Sequence, residues 1–195
     1  MTDTRLIAWG RARAHRLGVG RRVPVLWLFT DTRRLPDPRS AASRLPRGIA
    51  GVVLRHDDHP ERAAIGRDLA RICRQRRLTL VVAGDVRLAA ALRAGVHLRG
   101  GRWPGPLRRP GVNTSSAHSP AEIRRAWRNG AAIVFLSPAF ATASHPGEPA
   151  MGPHRWSRLA RQSRLPAAAL GGIDGFSIRR LRRCAGAGAI GALAD

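Results

Sequence analysis

The feature that most constrains the fold is a series of eight short apolar runs, separated mostly by stretches with apolar residues at helical spacing. The runs cover residues 24–31, 48–55, 78–84, 95–98, 111–117, 131–137, 165–173 and 189–195. The intervening helical stretches cover residues 40–45, 60–77, 85–94, 119–129, 151–164 and 175–187. Continuous apolar runs of this length are typical of parallel strands that are buried on both faces.

Eight strand–helix units in 195 residues predict a compact α/β fold, a single-domain (βα)8 TIM barrel. The main alternative is an open doubly wound sheet, which is also built from βαβ units. Neither a GxGxxG nor a GxxxxGK[ST] sequence follows any of the runs, which disfavours the nucleotide-binding forms of that alternative.

The first 23 residues differ from the rest because they are rich in arginine and have little periodic hydrophobicity. We interpret residues 1–23 as a basic lead-in segment or a poorly packed first helix, and residues 24–195 as the barrel. No apolar run approaches the roughly 18 residues that a membrane span needs. The expected location is therefore the cytoplasm. Cys73 and Cys184 lie far apart, without the spacing of a zinc site or a disulfide framework, and are expected to be buried thiols.

The formal net charge of +23 raises the alternative of an arginine-rich nucleic-acid binder. All 35 basic residues are arginines, spread over the whole chain, and the few aromatic residues are not interleaved with them as a base-stacking platform requires. Weak attraction to polyanions is expected from the charge alone. The pattern disfavours a specific nucleic-acid function.

Candidate residues for binding or catalysis follow or close the apolar runs, where a barrel places its active site. They are Asp31, Arg55, Gly84, His97, Ser116, Thr142, Gly171 and Gly172. This pattern indicates a functional site at the carboxyl ends of the strands.

Six segments in order carry a resemblance that extends from about residue 24 to the end of the chain. They are LWLFTD, GVVLRHDD, VVAGDVRLAAALRAGVHLRG, GVNTSSAHSPAEI, FLSPAFATASHPGEPAMG and AAALGGI. Together they resemble the thiamine-phosphate synthase family, which includes the thiazole tautomerase. The resemblance implies a transferase of thiamine biosynthesis with a compact (βα)8 barrel. Such an enzyme joins hydroxymethylpyrimidine diphosphate to thiazole phosphate and releases diphosphate with the help of magnesium.

The resemblance also implies two groups of site residues. The catalytic group, which would face the diphosphate, contains Arg55, Ser116 and His145. The group that would bind substrate or its phosphate contains His97, Thr142, Ser144, Gly171 and Gly172. The more ordinary interpretations are a hydrogen-bonded histidine at 97 and a hydroxyl-stabilised turn at 142–144. Trp27 and Phe29 are expected in the core, with Ser119 capping a helix.

The expected magnesium ligands of the family are missing. Ala83 and Gly84 stand where the family has an Asn–Asp pair, and Arg102 stands where it has a second aspartate. Magnesium is therefore a possible cofactor whose usual ligands are missing. Asp57, Asp58 and Asp85 are the candidates to replace those ligands. Without the metal, Arg55, Arg99, Arg102 and His145 would have to neutralise the diphosphate.

Two further alternatives follow from these departures. The missing carboxylates favour a noncatalytic barrel that binds a thiazole or thiamine phosphate. A tautomerase-like role is the other, although Pro138 occupies the position of the tautomerase's catalytic histidine. The expected partners are phosphorylated pyrimidine and thiazole substrates, with no specific nucleic acid and no membrane, and the oligomeric state is left open.

Overall fold

The computed structural model describes residues 2–18, 23–105, 111–142, 147 and 149–194. Its eight strands are all parallel, each pairs with the next in sequence, and β8 pairs with β1 to close a barrel. The strands are β1 (Leu26–Phe29), β2 (Ala50–Leu54), β3 (Thr79–Ala83), β4 (Gly95–Leu98), β5 (Thr114–Ala117), β6 (Ile133–Leu136), β7 (Ala167–Leu170) and β8 (Gly186–Ala189). The predicted single-domain (βα)8 barrel is confirmed.

Helices cover the outside of this barrel. They are α1 (Thr4–Leu17), α2 (Arg39–Arg44), α3 (Arg62–Arg76), α4 (Val86–Ala91), α5 (Pro120–Arg128) and α6 (Gly152–Gln162), and 3-10 turns lie at Ser177–Arg180 and Gly191–Leu193. Ser119 caps α5 by accepting a hydrogen bond from the backbone N–H of Glu122 at 3.3 Å, as predicted. Asp85 caps α4 in the same way through the N–H of Leu88 at 2.9 Å.

Aromatic side chains fill the barrel interior. Trp27 and Phe29 point inward from β1 and meet Phe135 of β6 edge to face, with ring centroids 5.7 and 4.9 Å apart. Glycines make room for them, because a β-carbon on Gly51 would lie 2.6 Å from the Trp27 ring and one on Gly188 would lie 2.7 Å from the Phe29 ring. The predicted core positions of Trp27 and Phe29 are confirmed, and the barrel is a packed core without a channel.

Helix α1 packs against the seam where β8 meets β1. Leu6 on this helix is fully buried, and Gly10 lies so close to β1 that a β-carbon would stand 2.6 Å from the Cγ of Leu26. The backbone N–H of Asp3 donates to the carbonyl of Ala192 after β8 at 3.0 Å. The first residues of the chain therefore include a helix that is part of the barrel's outer layer.

The last strand corrects the sequence prediction. Residues 189–195 were expected to form it and residues 175–187 a helix, but β8 is Gly186–Ala189 and only a 3-10 turn forms at Ser177–Arg180. The strand consists of glycine and alanine: a β-carbon on Gly188 would meet the Phe29 ring and one on Gly186 would meet the backbone carbonyl of Val25. It therefore lacks the branched residues that mark a strand in a sequence.

Cys73 and Cys184 are both free and buried, as predicted. Burial raises the pKa of each thiol to about 12, so both are protonated at neutral pH. None of the helices in the described residues is long and apolar enough to cross a bilayer.

Candidate functional site

A cavity of about 720 Å³ lies at the carboxyl ends of the strands, in the position where barrels build their active sites. Four of the predicted site residues line it, namely Arg55, Thr142, Gly171 and Gly172. A larger cavity of about 1290 Å³ lies between α1 and the segment after α2, and none of the predicted site residues that the structure describes lines it. Chemistry and position together assign the site to the smaller cavity.

The loop after β7 forms one side of the site. Gly171 and Gly172 have φ angles of +89° and +63°, a backbone region that favours glycine. A β-carbon on Gly171 would lie 3.0 Å from the Cα of Pro138, and one on Gly172 would collide with the carbonyl oxygen of Ala141. The loops after β6 and β7 therefore touch backbone to backbone, and only glycine fits this contact.

Hydrogen bonds hold this loop in place. The Ser177 hydroxyl donates to the carbonyl of Gly172 at 2.9 Å, and the backbone N–H of Phe140 donates to the carbonyl of Gly171 at 3.0 Å. The Asp174 carboxylate accepts from the N–H groups of Ser177 and Phe176, at 2.7 and 2.8 Å, and these bonds lower its pKa. Asp174 is therefore an anion that already has partners within its own turn.

Arg55 follows β2 directly and lines the same cavity. Its backbone N–H donates to the hydroxyl of Thr30 at 2.9 Å, and the ring Nδ1 of His56 lies 2.9 Å from the same hydroxyl. Thr30 and His56 are both buried, so the backbone from which the Arg55 side chain extends is fixed. Burial lowers the pKa of His56, which favours the neutral ring.

Arg34 is a second arginine at the cavity, and the sequence patterns did not predict it. Its backbone N–H donates to the Asp31 carboxylate at 3.0 Å, and its Nη2 lies 3.5 Å from where a β-carbon on Gly191 would stand. Burial alone would raise the pKa of Asp31, but hydrogen bonds from the backbone of Arg34 and Arg33 and the charge of Arg55 outweigh it and lower the pKa. Asp31 thus shapes a turn that presents a guanidinium to the loop after β8.

His97 lies inside the barrel. It is 4% exposed, its Nδ1 lies 2.8 Å from the hydroxyl of Thr114, and its ring meets that of Phe29 edge to face at 5.5 Å. Burial, with the nearby charges of Arg55 and Arg99, lowers the pKa of His97 to about 3. The ring is therefore neutral and hydrogen-bonded, and it is not among the described residues that line the cavity.

Ser116 and His118 lie at the end of β5. The Ser116 hydroxyl faces the loop after β4, where it lies 3.5 Å from the backbone nitrogen of Gly100. Ser116 is not among the described residues that line the cavity with Arg55. His118 does line the cavity, and its Nδ1 lies 2.6 Å from the carbonyl oxygen of Ser137. Its position just before the Ser119 cap gave no sign of this contact. Ser144 and His145 lie outside the described residues.

The ends of β2 to β4 do not offer a magnesium site. Ala83, Gly84 and Arg102 provide no side-chain oxygen, and Asp57 forms ion pairs with Arg62 and Arg99. No group of three or more histidine, cysteine or acidic residues that could hold a metal ion occurs among the described residues. The carboxylate oxygens of Asp57 are already held by two arginines, so the residues present do not fit magnesium.

Three comparisons place the chain among known proteins. The profile described as thiamine monophosphate synthase matches residues 26–193. The chain is 28% identical over 167 residues to a protein of Aquifex aeolicus named as a thiamine-phosphate synthase 2, covering 80% of this chain and 89% of that protein. It is 30% identical over 159 residues to a thiamine biosynthesis bifunctional protein of Geobacter sulfurreducens, covering 76% of this chain but only 32% of that longer protein.

The fold comparison agrees with the sequence comparisons. The thiamine phosphate pyrophosphorylase from Pyrococcus furiosus superposes with a TM-score of 0.70 at 23% identity, and the match covers 88% of each chain. The resemblance found in the six sequence segments is confirmed by the profile match over nearly the whole barrel. The chain belongs to the thiamine monophosphate synthase family.

Proposed function

We propose that this protein is a transferase that joins hydroxymethylpyrimidine diphosphate to thiazole phosphate, forming thiamine phosphate and releasing diphosphate. Membership of the family supports a role in thiamine biosynthesis. The observation that carries the proposal is the convergence of Arg55, Thr142 and the Gly171–Gly172 loop on one cavity at the carboxyl ends of the strands.

The phosphate of the thiazole would bind at the loop after β7. Gly171 and Gly172 lack side chains, so a phosphate oxygen can approach their backbone, and the Thr142 hydroxyl adds a donor. Arg34, in the turn after β1, also lines the cavity and adds a permanent positive charge. We assign Ser144 to the same phosphate on the basis of the sequence resemblance.

In the proposed reaction the thiazole nitrogen attacks the methylene carbon of the pyrimidine. A carbon–nitrogen bond forms, the carbon–oxygen bond to diphosphate breaks, and the electron pair of that bond leaves with the diphosphate. Arg55 would stabilise the negative charge that develops on the leaving group. Ser116 and His145 are assigned to the diphosphate by the sequence resemblance, and His97 to the binding of substrate or its phosphate.

The family's magnesium would neutralise diphosphate when bound. The side chains at the ends of β2 to β4 do not fit that ion, so no step of this proposal passes through it. The proposed partners are small phosphorylated molecules. The proposed compartment is the cytoplasm, which the two free, buried thiols support.

A thiochrome assay tests the proposal. Purified protein is mixed with hydroxymethylpyrimidine diphosphate, thiazole phosphate and magnesium, and the oxidised product is read by fluorescence. Wild type should give a signal, and Arg55→Met should lower the rate by about a hundredfold because a charge-assisted contact to the leaving group is lost. Arg67→Met on the exposed face of α3 is the matched control and should keep the wild-type rate. A folded wild-type protein without signal would contradict the proposal.

A noncatalytic barrel that binds thiazole or thiamine phosphate is the second candidate, and the replacement of the family's magnesium ligands by Ala83, Gly84 and Arg102 favours it. Calorimetry with thiamine phosphate separates the two. Binding that depends on Arg55 and Arg34, together with no thiochrome signal, would support the binding role. A tautomerase-like role would require another base near Pro138, and His118 is a candidate because it lines the cavity and its Nδ1 lies 2.6 Å from the carbonyl oxygen of Ser137.

A further inference from the structure

The guanidinium of Arg62 lies in a cage of oxygen atoms at the ends of β2 and β3. Its Nη2 donates to the carbonyl oxygen of Ala83 at 2.6 Å and lies 3.3 Å from a carboxylate oxygen of Asp57. Its Nη1 lies 3.6 Å from a carboxylate oxygen of Asp85. Two carboxylates and one carbonyl, supplied by two neighbouring strand ends, therefore surround one cation.

These oxygens are the donor types that a hard divalent cation prefers. The positive charge among them comes instead from a side chain, and that side chain is only 18% exposed. Arg62 belongs to the first turn of α3, so the helix that follows β2 delivers the cation to the adjacent strand ends.

Arg99 closes the other side of the cage. Its Nη2 pairs with the second carboxylate oxygen of Asp57, so the two oxygens of this carboxylate are held by two different arginines. The guanidinium carbon of Arg99 also lies 3.5 Å from where a β-carbon on Gly84 would stand. A β-carbon at position 84 would therefore be in van der Waals contact with Arg99, so the guanidinium packs directly over the end of β3.

We infer that the Arg62 guanidinium, supported by Arg99, is the built-in cation of this site and excludes a protein-bound divalent metal ion. The inference deepens the proposed function, because it predicts that the positive charge facing an anionic substrate at β2 to β4 comes from arginine. It rests on the contacts of Arg62 and Arg99 with these oxygens, and its test needs no substrate.

Binding of Mn²⁺ as a surrogate for Mg²⁺, measured by the loss of the free-ion EPR signal, tests the inference. Wild type should bind no stoichiometric Mn²⁺ at millimolar concentration. Arg62→Met removes the guanidinium and leaves three oxygens around the vacated volume, and it should bind one Mn²⁺ with a dissociation constant of about 0.1–1 mM, typical of weak oxygen sites. The bound Mn²⁺ should be displaced by excess Mg²⁺.

Two controls make the result specific. Arg67→Met removes an exposed arginine from the same helix and should behave as wild type. Arg62→Met/Asp85→Asn removes one carboxylate of the cage, and its affinity should fall about tenfold below that of Arg62→Met, because a ligand charge is lost.

Stoichiometric Mn²⁺ binding by wild type would overturn the inference, and so would a folded Arg62→Met protein that binds none. If Arg62→Met does not fold, Arg62→Gln takes its place, because it also removes the charge and should bind the ion, whereas Arg62→Lys keeps the charge and should exclude it. A negative thiochrome assay would remove the proposed synthase reaction but leave these binding results unaffected.

Discussion

Nδ1 of His97 lies 2.8 Å from Oγ1 of Thr114, and both residues are buried inside the barrel. The Phe29 ring stands edge to face against the imidazole on another side. His97 is thus held as a neutral ring between a hydroxyl and an aromatic edge. Burial lowers the pKa of His97, which is also close enough to Arg55 and Arg99 for their positive charges to lower it further.

This environment predicts a loss of stability in mild acid. The pKa of His97 is lowered to about 3 in the folded protein, whereas the unfolded chain takes up this proton below its ordinary value of 6.5. The contribution of the neutral ring to the free energy of unfolding is therefore complete above about pH 6.5, and it is lost as the pH falls toward 3. For one titrating group, the free energy of unfolding changes by at most about 1.4 kcal/mol per pH unit.

Urea unfolding at pH values from 7.5 to 5 measures this dependence. His97→Gln keeps a hydrogen-bond partner for Thr114 but cannot titrate, so its free energy of unfolding should fall less steeply with acid than that of wild type. His154→Gln, at an exposed position, should leave the slope unchanged. Equal slopes for His97→Gln and wild type would show that the ring is not held neutral.

The glycine loop after β7 predicts a difference between two substitutions with similar backbone angles. Gly172 and Gly130 have φ angles of +63° and +74°, so alanine at either position costs about 1–2 kcal/mol for the left-handed backbone alone. Nothing lies within 4 Å of a β-carbon on Gly130, whereas one on Gly172 would lie 2.8 Å from the Cβ of Phe140 and collide with a backbone carbonyl.

Gly172→Ala should therefore lower the free energy of unfolding more than Gly130→Ala, and it should also abolish binding of thiazole phosphate. Gly130→Ala should bind the ligand like wild type because it lies at the end of α5, away from the cavity. Urea unfolding and calorimetry measure the two effects. Similar losses of stability in both variants would mean that the loops after β6 and β7 do not touch as described.

Arg34 predicts a specific loss of phosphate affinity. Arg34→Met should weaken binding of thiazole phosphate about tenfold, as expected for one charge-assisted hydrogen bond. Arg33→Met is the matched control, since Arg33 is exposed in the same turn and is not among the described residues of the cavity. Calorimetry at low and moderate salt compares them. Equal weakening in both variants would indicate a general charge effect instead of a contact.

Much of the barrel could be predicted from the sequence because β1 to β6 are runs of branched or aromatic residues or end at identifiable turns. β8 could not, because its sequence is GAGA and its glycines match neighbours that meet only in three dimensions, the Phe29 ring at Gly188 and the Val25 carbonyl at Gly186. Alanine and glycine on their own do not distinguish a buried strand from a helix or a loop.

The site was predictable to a similar degree. Arg55 and the glycine pair follow strands directly, so their place at the cavity follows from the rule for barrels. Arg34 lies in a turn whose direction is determined by hydrogen bonds to Asp31, and Arg62 reaches its cage from a helix. Both contacts depend on side chains that extend away from the strand ends, which sequence order does not reveal among 35 basic residues.

Asp3 connects the first helix to the mouth of the barrel. Its carboxylate caps α1 by accepting from the N–H groups of Arg5 and Leu6, at 2.9 and 3.0 Å, and it accepts from the N–H of Gly175 at 2.6 Å. Asp3→Ala should lower the free energy of unfolding by about 1–2 kcal/mol, because the cap is lost and three donors lose their partner. Asp3→Asn should keep most of this stability, since asparagine is also a good cap.

Asp3→Ala should also affect ligand binding, because Gly175 follows the Gly171–Gly172 loop and Asp3 itself lines the cavity. We expect Asp3→Ala to weaken thiazole phosphate binding several-fold, in calorimetry at a temperature where the variant is fully folded. Thr4→Ala, at the exposed start of α1, controls for a general effect on the helix. If Asp3→Ala lost stability but bound the ligand like wild type, α1 would support the barrel without positioning the phosphate loop. If both properties were unchanged, the contact with Gly175 would not hold the loop at all.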